Sequence, residues 1–345
     1  MKKLFLLFII CFTSIALSSC GLISSKPVET EEYHMGTVIT QKIYGRNAQS
    51  AAEQVEKRMV DIEATMTVNA PGGDVNKLNA AAGKESVMLG SDTIFVLQRA
   101  KRYAELSKGT FDVTVGPLVK AWGIFTDHPR IPSSDEIKQL MGFIDYRTLA
   151  VDETNNTAKL AVPGQLVDLG GIAKGYAGDE AIRIYKENGI KSAFVNLGGN
   201  VVVLGNKPDG KPWSIGVQNP RAETGRYLGI LKVTDKAVVS SGDYERFFEK
   251  DNVRYHHILD PRTGYPADSG LIGTTIVADS STDGDALSTA TFVLGLDEGM
   301  KLVESLPGVD AIFVTKDKKV YTTSGLKDKF TFDDESKEYE YVEKR

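Results

Sequence analysis

The sequence predicts an α+β fold, and three observations carry that expectation. Stretches with apolar residues at helical spacing are mixed along the chain with short runs of strand-like alternation. No repeat at solenoid or propeller spacing and no low-complexity linker interrupts them. A 41% apolar composition over 345 residues gives core material for one large domain or two, and no stretch demands a boundary.

The N-terminus comes first. Lys2 and Lys3 precede a largely apolar run from Leu4 to Leu17, too short for a stable transmembrane helix and suited to a signal peptide. Leu17-Ser18-Ser19-Cys20 follows, and small residues before a cysteine resemble a bacterial lipoprotein cleavage box. Cys20 is then the lipidated first residue of the mature protein, held on the extracytoplasmic face of the cell membrane; the alternative is a simple signal peptide with an incidental cysteine. Removing Cys11 with the signal leaves no internal disulfide. Residues 1–19 are expected as signal peptide, 20–31 as a polar tether, 32–333 as the domain and 334–345 as a charged, loosely ordered tail. The formal net charge is −5, and loss of Lys2 and Lys3 with the signal makes it −7. That argues against nucleic acid or an anionic lipid surface as partner.

Alternation begins at Tyr33 and predicts a strand to Ile43 that carries Met35-Gly36-Thr37. Val55, Met59, Ile62 and Met66 give an amphipathic helix, which Asn69 to Asp74 breaks. A second helix is expected from Ser91 to Leu106, with Ser91 or Asp92 as N-cap and Lys108-Gly109 as its stop. Gly109 to Gly123 reads as a loop feeding a short helix at Pro117, a residue that suits a first helical turn. Residues 133–141 predict a small helix and 148–162 a hairpin. Ala193 to Leu204 is strand-like around a Gly198-Gly199 pair, followed by short strands at 213–217, 227–233 and 237–239. Thr274 to Ala278 is a strand, Asp283 to Leu294 a helix, and 310–314 with 319–323 a closing hairpin.

Val167 to Asp179 packs a carboxylate, a glycine pair and a lysine where an apolar run meets a helix. Helix starts bind anions through free N–H groups, and Lys174 adds a mobile charge. An ordinary strand-to-helix turn is the plain alternative, and neither Walker A nor Rossmann spacing occurs here. Asp285 and Thr289 stand four apart on the expected helix, so both oxygens share a face; such hard donors suit Mg²⁺ or Ca²⁺ rather than zinc. The competing reading has Asp283 as cap and Asp285 merely well placed in the first turn. His257 is a candidate general acid or base. Ser240-Ser241 offers a serine nucleophile to it, but the elbow G-x-S-x-G is absent.

Five stretches occur in a family order: Gly109-Thr110-Phe111-Asp112 with Thr114 to Leu118, Asp168 to Tyr176, Asn196 to Asn200, His257 to Gly264, and Asp285 to Ala290. With the lipoprotein box they resemble the ApbE family of FAD:protein FMN transferases, over roughly Tyr33 to Thr323. The resemblance implies a T-fold-like α+β architecture, mainly antiparallel. It implies Mg²⁺-dependent transfer of FMN from FAD onto a threonine or serine hydroxyl of an exported acceptor, such as a redox subunit or electron-transfer lipoprotein, with AMP released. By similarity Asp285 and Thr289 are metal ligands with the Gly171 carbonyl. FAD lies against Met35, Thr110, Phe111, Asp112, Asp168, Lys174, His257 and Leu259, and His257 is the candidate for activating the acceptor hydroxyl or assisting at phosphate. Two departures stand out: Met66-Thr67-Val68-Asn69 where the family commonly has Met-Ser-Thr-Tyr, and Asp283-Gly284-Asp285-Ala286 where it often has Thr-Ala-Asp-Ala. A metal-dependent FAD pyrophosphatase and a non-catalytic flavin-binding lipoprotein are the alternatives.

Overall fold

The computed structural model describes residues 26–342, so the expected signal peptide, Cys20 and the start of the tether lie outside the described residues. Nine strands form the main sheet and stand side by side in the order in which the chain makes them. They are β1 (Val28–His34), β2 (Thr37–Tyr44), β3 (Ser192–Leu197), β4 (Asn200–Leu204), β5 (Ala237–Gly242), β6 (Leu271–Ala278), β7 (Asp310–Thr315), β8 (Lys319–Thr322) and β9 (Glu340–Val342). Every pairing is antiparallel except β8 with β9. The α+β expectation is met.

Eight helices occur among the described residues: α1 (Ala48–Met66), α2 (Asp74–Ala80), α3 (Ser91–Leu106), α4 (Gly116–Trp122), α5 (Ser134–Leu140), α6 (Ala173–Glu187), α7 (Ser281–Leu294) and α8 (Leu296–Glu304). One face of the sheet packs against helices, where Val55, Met59 and Ile62 of α1, Ala177 and Ala181 of α6 and Ala286 and Ala290 of α7 meet Ile43, Val195, Val239 and Ile276. The other face lies under three short strands, 213–218, 227–233 and 330–332, whose Trp213, Leu228 and Leu231 pack on Val238, Val277 and Ile312. Covered on both sides, β6 is buried along its whole length, Thr274 and Thr275 included, with no alternation of buried and exposed residues. A third, smaller cluster joins Leu118 and Trp122 of α4 to Ile137 and Leu259.

The helix over 91–106 has the expected bounds, but Gly90 rather than Ser91 or Asp92 is its N-cap. Its support is tertiary: Asp74, the first residue of α2 just past the expected break, accepts from Gly90 N at 2.7 Å and from Thr93 Oγ1 at 3.0 Å. β1 starts at Val28, within the expected tether, because its inward residues include Thr30, Glu32 and His34 and so lack an apolar signature. β9 lies in the expected loose tail, where Tyr341 stacks on Phe332 with ring centroids 5.6 Å apart.

Candidate functional site

The site grows from one close helix crossing. Gly175 of α6 lies against α7 so tightly that a Cβ there would stand 2.3 Å from the Ser281 carbonyl oxygen and 2.7 Å from Asp285 Cβ. At that distance each helix caps the other. Asp179 of α6 accepts from Ser281 N at 2.7 Å, Thr282 N at 2.9 Å, Thr282 Oγ1 at 2.6 Å and Ser280 Oγ at 2.8 Å, at the start of α7. Asp285 of α7 accepts from Gly175 N at 2.8 Å, at the start of α6. The expected anion at this helix start is therefore a carboxylate of the same chain. Ser280, not Asp283, supplies α7's own side-chain cap. Asp168 does not end a strand: the preceding strand stops at Leu160, and Leu166 makes only an isolated bridge to Val115.

Gly175 N–H is one of the free N–H groups of the first turn of α6, whose N-cap is Ile172, and Asp285 satisfies it. The Gly171 carbonyl, one residue before the N-cap, stands outside the helical ladder, and no backbone hydrogen bond among the described residues reaches it. A Cβ on Gly171 would stand 3.5 Å from Thr289 Oγ1, so the carbonyl's residue and the hydroxyl are neighbours. The side chain of Thr289 makes no hydrogen bond among the described residues, unlike Thr291 two residues on, which donates to Leu287 O at 2.7 Å. Asp285, Thr289 and Gly171 thus offer a carboxylate, a hydroxyl and a carbonyl in one place, an all-oxygen set that fits a hard divalent cation.

Charge surrounds this set. Burial pushes the Asp285 carboxyl above its ordinary range, opposed first by Lys174, then by Gly175 N–H and the Asn200 amide. Asn200 is buried with its Nδ2 lacking a partner of hydrogen-bond geometry, so it acts on Asp285 as a nearby dipole. Glu245 keeps accessible surface yet stands among many protein atoms; that confinement raises its carboxyl, Lys174 opposes it and Asp285 adds to it. Asp168 is raised in the same way, with Gly170 N–H opposing at 2.8 Å. His257 is held below its ordinary value by burial, then by His256 and Lys174. Its Nδ1 lies 3.3 Å from the Arg246 carbonyl, which assigns the proton to Nδ1 and leaves Nε2 as the basic nitrogen. Groups that remain accessible while densely surrounded line a cleft. A shallow groove of about 310 Å³ along Asp179, Arg183, Lys186 and Lys236 lies elsewhere and holds none of these groups.

The sequence pattern of the ApbE family matches residues 35–313. The chain belongs to the ApbE family. It is an enzyme by that membership, and its relatives are uniform in what they are called. It is 35% identical to the FAD:protein FMN transferase of Treponema pallidum over 315 residues, 86% of this chain and 87% of that one. It is equally 35% identical to the FAD:protein FMN transferase of Klebsiella pneumoniae (strain 342), covering 86% of this chain and 92% of that one. Among solved structures, the ApbE protein of Thermotoga maritima superposes with a TM-score of 0.81 at 34% identity, over 88% of this chain and 98% of that chain. The flavin transferase ApbE of Vibrio cholerae gives 0.79 at 27% identity, over 88% and 99%.

Not every residue matched to the ApbE family offers a free side chain. Asp112 is consumed by its own loop, accepting from Thr114 N at 2.8 Å, Thr114 Oγ1 at 2.7 Å and Tyr146 N at 2.9 Å. Thr110 Oγ1 donates to Ser107 O and Ala290 O, tying the loop to α7. Leu259 is buried in the third cluster. Phe111 packs beside Gly171, where a Cβ would meet its ring at 3.2 Å. Met35 sits at the β1–β2 turn with φ 53°, beside Gly36, whose carbonyl accepts from Arg246 at 2.8 Å. That contact brings the turn to the Glu245-Arg246 side of the cleft. Ser241 pairs with Ser288 at 2.8 Å, away from any serine–histidine arrangement. Sequence reading missed Glu245, Asn200 and Asp179, whose roles come from partners remote in the chain.

Proposed function

We propose that this chain is a FAD:protein FMN transferase that moves FMN from FAD to a threonine or serine hydroxyl of an exported acceptor protein, with Mg²⁺ required and AMP released. The observation that carries the reading is the Gly171 carbonyl, without a backbone partner just before the α6 N-cap, beside Asp285 and Thr289. Those three groups would hold Mg²⁺. A bound Mg²⁺ supplies neutralisation of the pyrophosphate and of the AMP leaving group.

The chain's own residues do the rest. Lys174 presents a cation to the phosphates at the start of α6. Phe111, Met35 and Asp168 line the way in for the dinucleotide. His257 Nε2 takes the proton of the acceptor hydroxyl as its oxygen bonds to the FMN phosphorus and the bond from that phosphorus to the AMP oxygen breaks. A free imidazole held low is a weak base, and an anionic pyrophosphate beside it raises it toward the working range. The reading extends to an anchor through Cys20 on the extracytoplasmic face, and to redox subunits or electron-transfer lipoproteins as acceptors.

The test is mass spectrometry of an exported candidate acceptor incubated with the protein, FAD and Mg²⁺, with and without EDTA. A gain of one FMN phosphoester on a hydroxyl residue, in step with AMP and abolished by EDTA, is expected. AMP and free FMN without an adduct would replace this reading by a pyrophosphatase, and intact FAD throughout by a binding lipoprotein. His257→Ala is expected to slow transfer by roughly a hundredfold or more while FAD still binds; loss of FAD binding instead would make it a contact residue.

A further inference from the structure

The cleft described above takes its donors entirely from oxygen. Next to the β1–β2 turn, between β1 and α1, stands a second group of donors with a different chemistry. Val28, Thr30, Glu32 and His34 share the inner face of β1, turned toward α1. There Glu32, His34 and Glu56 bring one nitrogen and two carboxylate oxygens within 4.8 Å of one another, all three partly buried. We propose that Glu32, His34 and Glu56 form a second metal site, of the Zn²⁺ class, which staples the edge strand β1 to α1.

Three features support it. His34 Nε2 lies 3.7 Å from Glu32 Oε2, wider than a hydrogen bond. A tetrahedral zinc with bonds of about 2.1 Å holds its donors roughly 3.4 Å apart, so a small contraction completes the site. His34 Nδ1 faces Glu63 Oε2 at 3.9 Å, a carboxylate behind the imidazole of the kind that orients metal-bound histidines. Finally, the Glu32 carboxyl is raised by burial and then by the neighbouring Glu56 carboxyl, with His34 opposing. A divalent cation answers that repulsion, and the imidazole selects zinc over magnesium. The site lies one residue from Met35, so its occupancy also fixes the turn that borders the cleft.

The test is zinc binding to the metal-free full chain by titration calorimetry, with Mg²⁺ at saturating excess. One Zn²⁺ per chain is expected, retained in Asp285→Asn and weakened at least tenfold in both His34→Ala and Glu56→Gln. Zinc is also expected to raise the unfolding midpoint of the wild type by a few degrees and not that of Glu56→Gln. Because Glu56→Gln preserves shape, it decides the matter if His34→Ala folds poorly. Zinc binding lost in Asp285→Asn, or unchanged in Glu56→Gln, would overturn the proposal. Neither result bears on flavin transfer, which is read separately by adduct formation.

Discussion

Asp179 and Asp285 do the same thing from opposite helices, and the difference between them separates a structural carboxylate from a functional one. Each accepts at the start of the helix that the other belongs to. Asp179 is saturated, with two backbone N–H groups and two hydroxyls around it. Asp285 is deeply buried with one backbone N–H, and burial raises its carboxyl. A carboxylate short of donors in a dry place retains strong demand for a positive partner. The saturated one holds helices together, and in the proposed function the deprived one receives the cation.

The largest effect that sharpens this contrast is on catalysis. Asp285→Ala is expected to reduce FMN transfer by roughly three orders of magnitude, with unchanged circular dichroism. Transfer within a fewfold of wild type would break the contrast. Next is Gly175→Ala, which forces a methyl against Ser281 O and Asp285 and is expected to cost about 3 kcal/mol or more in denaturant unfolding. Asp179→Ala should follow at about 2–3 kcal/mol, from several lost hydrogen bonds at a helix start. Its transfer rate per folded molecule should stay near wild type, and a collapse of that rate would mean the two caps are not separable.

The smallest effect is in pH. Asp285 has a folded value above its ordinary 3.8, so its protonated form favours the fold. That contribution is present below the ordinary value and is lost as pH rises through the raised one. In metal-free protein, the stability of Asp285→Asn relative to wild type should therefore grow from acid to neutral pH. Added Mg²⁺ should stabilise the wild type more at neutral than at acid pH and leave Asp285→Asn unmoved. Thermal unfolding across pH, with and without the ion, reads both; a pH-independent difference would remove Asp285 from the account.

Much of this was legible in the sequence wherever the cause is local. Val55, Met59, Ile62 and Met66 mark α1 because a helix repeats its buried face, and all four are buried. Asp285 and Thr289 share a face for the same reason, and the ordered motifs gave the family and its α+β architecture. Other features needed remote partners. Gly90 caps α3 only because Asp74 stands behind it. The polar inner face of β1 hides the strand from any search for apolar alternation. Asp112 teaches a subtler lesson: its bonds to Thr114 are a local turn readable from Asp-x-Thr, so its carboxylate was already spoken for two residues away.

The sheet's strand order has a mechanical meaning. Its first and last described strands are also its two outermost, so Val28 and Val342 lie at opposite margins, eight spacings of about 4.8 Å or roughly 38 Å apart. Trimming either end by a few residues past Val28 or Val342 strips a margin and uncovers β2 or β8 as a raw, unpaired border open to other chains. Load applied at the leading end peels β1 from β2 one pairing at a time, beginning at Val28 opposite Ile43, while the helix crossing that carries the site bears none of it directly.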